Sequence, residues 1–183
     1  MNMKVVSFVA ALALAGSLSA ATFQVDVPHS SVGFEVKHLM VSKVKGNFKN
    51  FSGEVEFDGK KLTKLEGQVK IADINTNNDA RDKHLNAPDF FDAKKFPAAT
   101  FKMTKLEKNK LYADITIRDV TKNIAFDVDV SGPVKHPQTG KDLISISLKG
   151  ALNRKDFKVG ESTGDSSVSE LVGINIEIEA VAK

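Results

Sequence analysis

From Thr22 onward the chain alternates apolar and polar residues with a period of two, the repeat of strands with one buried face. Phe23, Val25 and Val27 share a face before Pro28. Val32, Phe34, Val36 and His38 form the next face, and Val44–Gly46 a short one. Phe51, Gly53, Val55 and Phe57 follow, up to an Asp58-Gly59 turn. The pattern continues with Leu65, Gly67, Val69 and Ile71. After an interruption it resumes with Ala99, Phe101 and Met103, then with Leu111, Ala113, Ile115 and Ile117 beyond a Lys108-Asn109 turn. Ile124 to Val130, Ile144 to Leu152 and Val172 to Ala180 complete the series, with loops predicted at Gly132–Gly140 and Gly160–Ser167. This predicts an all-β chain of about eight to nine strands, mostly antiparallel because most connections are short turns. Long strands with one apolar face must bury that face. One short helix cannot cover them, so an up-and-down barrel is expected in preference to a sandwich.

The interruption is Asp79 to Pro97, DARDKHLNAPDFFDAKKFP. Asp79 is the predicted N-cap of a short helix ending at Leu85, and Asn86 to Asp89 reads as a break. Phe90 and Phe91 are neighbours, so on a helical turn they diverge by about 100°. One can face the barrel mouth while the other packs beneath the helix. The stretch is an amphipathic cap, with Arg81, Asp82 and His84 at its wet edge.

The inward positions mix large residues (Phe34, Phe57, Phe101, Phe126) with small ones (Gly53, Gly67, Ala99, Ala113, Gly150, Ala180). A barrel of about eight strands is either just filled by its side chains or holds one small ligand. Small inward residues suit a cavity, but they also suit barrel taper and bends. Both readings stay open on the pattern alone.

The first residues change the picture of where the chain acts. Lys4, an apolar run from Val5 to Leu18, and Ser19-Ala20-Ala21 make the three-part pattern of a secretory signal peptide. The expected organisation is a leader at 1–21 and one domain at 22–183. No Cys follows the apolar run, which excludes a lipoprotein anchor, and Cys is absent throughout, which removes disulfides and thiolate chemistry. A leader without disulfides suits a bacterial periplasm. Of the 26 Lys and Arg residues one is Lys4, which leaves 25 against 23 Asp and Glu. No basic run with interleaved aromatics is present, so nucleic acid is not an expected partner.

Candidate chemistry is sparse. Asp82 and His84 offer an acid/base pair, and Ser30 or Ser31 beside His29 offers a nucleophile, but no nucleophile elbow frames either. His29, His38, His84 and Asp82 are the residues to consider for a metal, without close ligand spacing. No catalytic group and no metal are therefore expected. His38 is expected in the core beside Phe34 and Val36, and His136 is expected to be solvated.

Several blocks together resemble the YceI-like proteins of the bacterial periplasm. They are HSSVGFEVKH at His29–His38, with Val44, Gly46, Phe48, Phe51 and Gly53 after it, NNDARDKHLNAPDFFDAKKFP at Asn77–Pro97, ITIRDVTKNIAF at Ile115–Phe126 and NRKDFKVG at Asn153–Gly160. The chain departs from the family pattern at Asp119, Asn123 and Lys155, where Gly, Pro and Ser are common. The resemblance implies an extended, lipocalin-like antiparallel barrel whose tunnel holds a polyisoprenoid, a prenyl phosphate or a ubiquinone- or menaquinone-like prenyl quinone, with no other cofactor and no catalysis. Phe34, Val36, Phe57, Phe90, Phe91, Phe101, Ile115, Ile117, Phe126 and Ile146 would line the tunnel. Arg81, His84, Asn153 and Arg154 would meet the head group. An isoprenoid lipid is the expected partner, with transient membrane contact and a homodimer as further expectations. The alternatives are a hydrolase-like enzyme using Asp82 and His84, and a filled barrel acting as a stress-response or interaction module.

Overall fold

The computed structural model describes residues 20–183. The expected leader at 1–21 lies outside the described residues but for Ala20 and Ala21, and Ala21 already opens the first strand, paired with Phe57. Eleven strands and one helix follow in order: β1 (Ala21–Val25), β2 (Ser31–His38), β3 (Ser42–Phe48), β4 (Phe51–Phe57), β5 (Leu62–Lys70), β6 (Ile74–Asn75), α1 (Asp79–Leu85), β7 (Ala98–Glu107), β8 (Lys110–Ile117), β9 (Val120–Lys135), β10 (Asp142–Asn153) and β11 (Val168–Ala182). Every pairing is antiparallel. Eight strands close a barrel in the order β1-β4-β5-β7-β8-β9-β10-β11, with β11 returning to β1.

The remaining strands extend that barrel lengthwise. β11 pairs with β1 through Ala180–Ala182 and with β2 through Val168 and Val172–Glu177. β4 and β3 meet β1 and β2 in turn, and β5 and β6 meet β4 and β3. Three ribbons of an eight-ribbon meander are thus each broken once, which is why the pattern predicts about eight strands while pairing yields eleven. The breaks have local causes. Pro28 lacks an N–H and sits in a 3-10 turn at Val27–His29. A second 3-10 turn at Ile71–Asp73 lies beside the Lys49-Asn50 break, joined to it by Lys49 N–H to Asp73 O and Lys70 N–H to Asn50 O.

Along its axis the barrel is half filled and half hollow. Phe23, Val55, Phe57, Leu62, Ile144, Ile146 and Ala180 are buried at the filled end, with Phe23 and Phe57 edge to face at 6.4 Å. The cap stretch covers the other end. The small inward residues divide the same way. Ala113 and Ala180 are fully packed, and Gly150 lies under the Phe126 ring, whose Cδ1 would be 2.6 Å from an added Cβ. Gly53 and Gly67 face each other across β4 and β5 and, with Ala99, border the hollow.

Three expectations are corrected. His38 is exposed, because it ends β2 where the strand leaves the barrel. The helix is capped by Asn78, one residue before Asp79, since the Asn78 side-chain Oδ1 accepts from Arg81 N–H at 2.9 Å. The loop predicted from Gly132 is shorter, because β9 runs on to Lys135. Gly132 and Pro133 sit in a bulge where pairing shifts opposite Ile144, and a bulge tolerates a residue with no N–H to donate. His136 is half-buried in the turn beyond, where its Nδ1 accepts from Gln138 and Thr139 N–H.

Candidate functional site

The cap is built around Thr76, a buried polar residue just after β6. Its N–H and hydroxyl both donate to the Asp82 carboxylate, and its hydroxyl oxygen accepts from Arg81 Nε at 2.7 Å. Arg81 Nη2 also donates to the Thr76 carbonyl at 2.8 Å. A charged pair on one helical turn therefore satisfies a threonine that would otherwise be buried unpaired. His84 turns the other way. Its Nε2 meets Asp89 at 2.8 Å, and that hydrogen bond holds the Asp89 carboxyl below its usual range. The His84 ring also stands edge-on to Phe90, 4.9 Å between centroids. Asp82 and His84, the candidate acid/base pair, thus have separate partners.

The turns after α1 place Phe90 and Phe91 over the hollow. Phe90 N–H donates to Ala87 O and Phe91 N–H to Leu85 O, both at 3.0 Å. One arginine fastens the cap to the wall, and a second organises the loop that the cap joins. Arg118, at the β8–β9 turn, donates through Nη1 to Phe90 O at 2.7 Å and Lys158 O at 2.6 Å, and its guanidinium lies 5.5 Å from the Phe96 ring centroid. Arg154, only 4% exposed, spends all five N–H groups on carbonyls of Val159, Gly160, Thr163, Val168 and Ser169. The loop before β11 is thereby wound around one guanidinium. Gly160 N–H donates to Asp89 O at 2.9 Å and joins this loop to the cap.

Beneath lies an apolar cavity of about 210 Å³. Its wall includes Phe34, Val36, Phe48, Phe51, Phe101, Ile115, Ile117 and Phe126, with Leu85, Phe90 and Phe91 from the cap. Aromatic rings meet along it: Phe34 with Phe48 at 5.9 Å, Phe48 with Phe91 at 6.5 Å, Phe101 with Phe126 at 5.6 Å. Engineered cavities of about 150 Å³ with such linings stay dry and take up benzene. This site has the volume and chemistry to hold hydrocarbon.

The sequence profile of the YceI-like domain matches residues 23–180. The chain belongs to the YceI-like family. A UPF0312 protein of Staphylococcus aureus is 37% identical over 163 residues, covering 88% of this chain and 95% of that protein. The YceI protein of Campylobacter jejuni, known from its crystal structure, is 43% identical with a TM-score of 0.75 over 80% of this chain and 90% of its own. A polyisoprenoid binding domain from Saccharophagus degradans, implicated in plant cell wall breakdown, shares the fold at a TM-score of 0.71 with 14% identity, covering 90% of this chain and 100% of that one.

Against this YceI-like barrel, eight of the ten expected tunnel residues border the cavity: Phe34, Val36, Phe90, Phe91, Phe101, Ile115, Ile117 and Phe126. Phe57 and Ile146 do not, because both lie in the filled end. Phe90 and Phe91 both reach the cavity, where the sequence suggested one would. Of the expected head-group residues only Arg154 borders it, and its donors are already used. Arg81 serves Thr76, His84 serves Asp89, and Asn153 binds Glu170 and caps the 3-10 turn at Arg154–Phe157. Ser30 is a backbone clip on β11, accepting Glu179 N–H at 2.9 Å, and His29 pairs with Asp26 at 2.9 Å. The departures from the family pattern each make a polar contact: Asp119 with Lys158, Asn123 with Thr104 and Asp114, Lys155 with Asp165 and Glu170. Phe48 and Arg118 escaped the sequence reading as site residues. The Arg118 partners lie 28 and 40 residues away, beyond any local signal.

Proposed function

We propose that this protein binds the hydrocarbon chain of an isoprenoid lipid at the capped end of its barrel, and carries it in the bacterial periplasm without catalysing a reaction. The observation that carries this reading is the apolar cavity closed over by Phe90 and Phe91. The family and the polyisoprenoid-binding neighbour that shares its fold support it. Burial of each CH₂ contributes about 0.8 kcal/mol. A few isoprene units therefore reach the roughly −8 kcal/mol of micromolar binding after association costs. A neutral head group, as in a prenyl quinone, fits better than a phosphate. Arg154, the one expected head-group cation that borders the cavity, already has its five N–H groups on backbone carbonyls, and a phosphate needs free charged donors.

The test is native mass spectrometry of protein purified from its own host, before and after organic extraction. An Ala99→Phe variant, which fills the cavity from its β7 wall, is run alongside. The wild type is expected to release a prenyl lipid and rebind added ubiquinone or menaquinone, and the variant to do neither while keeping its melting temperature. Wild-type protein with no co-purifying isoprenoid and no uptake of added quinone would sink the proposal.

A further inference from the structure

One turn of this barrel differs from the others in its side chains. The neighbouring-strand connections at Asp58-Gly59, Lys108-Asn109, Arg118-Asp119 and His136–Lys141 are polar or glycine-rich. The β2–β3 hairpin turns instead through Leu39, Met40 and Val41, which are 58%, 63% and 92% exposed. Leu39 and Met40 have φ of 51° and 57°, a region where Asn, Asp and Gly are at home and bulky apolar residues are strained. The tip is nonetheless held in place, with Leu39 N–H bound to Ser167 O at 2.9 Å and Val41 N–H to His38 O at 3.2 Å. Three exposed apolar side chains on an anchored turn run against both hydration and local conformational preference. Such conflicts are characteristic of functional surfaces.

The charges around the tip say what it meets. Residues 36–49 carry Lys37, Lys43, Lys45 and Lys49 and no Asp or Glu. Lys37 and Lys43 are directly opposed across the hairpin, a like-charge pair that disfavours the strand pairing in water. Glu35 answers Lys43 at 2.7 Å, while Lys37 and Lys45 stay exposed beside the tip. Leu171, also exposed, lies in the β11 bulge opposite the end of β2. Glu170 of the same bulge is paired with Lys155 and Asn153. An apolar tip flanked on its own hairpin by Lys37, Lys43 and Lys45 is therefore complementary to an anionic lipid bilayer, with hydrocarbon for the side chains and phosphates for the ammonium groups. The same hairpin supplies Phe34 and Val36 to the cavity wall, and Val168, paired with His38, lines it too.

We infer that the Leu39–Val41 tip docks this protein on an anionic membrane surface, with the hollow end of the barrel turned towards the bilayer. The inference goes beyond the proposed ligand and holds whichever lipid the cavity takes.

The experiment is flotation of the full folded protein with vesicles of phosphatidylglycerol and phosphatidylcholine, or of phosphatidylcholine alone, free of isoprenoid so that failure here leaves the ligand proposal untouched. The wild type floats with the anionic vesicles, and added salt weakens it. The triple variant Leu39→Asn/Met40→Gly/Val41→Ser loses roughly ten-fold or more of its partitioning. Its melting temperature holds or rises, because Asn and Gly suit positive φ. A Lys37→Gln/Lys45→Gln variant binds more weakly and responds less to salt. Wild type that does not float, or a triple variant that floats equally well, would overturn the inference. So would a dimer in analytical ultracentrifugation that the triple variant abolishes while vesicle binding is nil, since the tip would then meet a second copy.

Discussion

Replacing Arg154 by Met tests whether the cavity owes its end wall to one guanidinium. The side chain is 4% exposed, and its five N–H groups hold five carbonyls between Val159 and Ser169. Met matches the length and apolar stem but offers no donor. Each charged hydrogen bond contributes about 1.5–3 kcal/mol, yet five of them cannot sum, because water can reach part of the released loop, as at half-buried Thr163. Breaking a buried charged network from one side costs about 3–5 kcal/mol, and that is the expected loss in urea denaturation. Proteolysis should then begin between Lys158 and Val168, and lipid retention should fall, because Phe157, Val159 and Val168 border the cavity. Arg154→Lys, with three donors in place of a planar five, recovers only part. A loss of less than about 1 kcal/mol, the scale of a surface ion pair, would refute the reasoning, since the carbonyls would then be satisfied without the arginine.

Other outcomes follow from the same geometry. Phe90→Ala with Phe91→Ala should speed release of bound lipid by about ten-fold or more in a stopped-flow transfer assay, a larger change than any single polar substitution in the cap gives, and unaltered release would make the segment plain packing. Gly53→Ala would put a Cβ 2.9 Å from the Glu66 carbonyl oxygen and 3.2 Å from Val25; a backbone neighbour cannot rotate away, so about 1–3 kcal/mol should be lost in denaturant, and an unchanged midpoint would contradict the close approach of β4 and β5. The hydrogen bond and charge of Asp26, with Glu179 behind, raise the pKa of His29 above 6.5. This pair's stabilisation is therefore complete below 6.5 and lost as pH rises through the raised folded value. An NMR titration should find His29 above 6.5 and Asp26→Asn should lower it; equal values in both proteins would remove the coupling.

Much of the fold was legible because a strand writes its period into the sequence. Phe34, Phe101, Ile115, Ile117 and Phe126 fall on inward positions by alternation alone, and the Asp79–Pro97 interruption stands out against it. The polar side of the site was not legible. Arg81, His84 and Arg154 were sensible head-group candidates by type, but their partners are a threonine, an aspartate and backbone carbonyls, and type does not say which donors are already spent. The small inward residues left cavity and packing open for a similar reason, and both occur: Gly150 lies under the Phe126 ring and opens no space, while Gly53 and Gly67 border the hollow.

The sequence by itself determined an all-β barrel with one capping segment, because alternation and turn chemistry act over a few residues. Only the tertiary structure decided that the barrel is filled at one end and hollow at the other. It also decided that both Phe90 and Phe91 close the hollow, that Arg118 ties cap to wall, and that Arg154 holds the loop beside them. Those outcomes depend on ring positions, strand breaks and hydrogen bonds between residues tens of positions apart, and these are fixed only when the barrel closes.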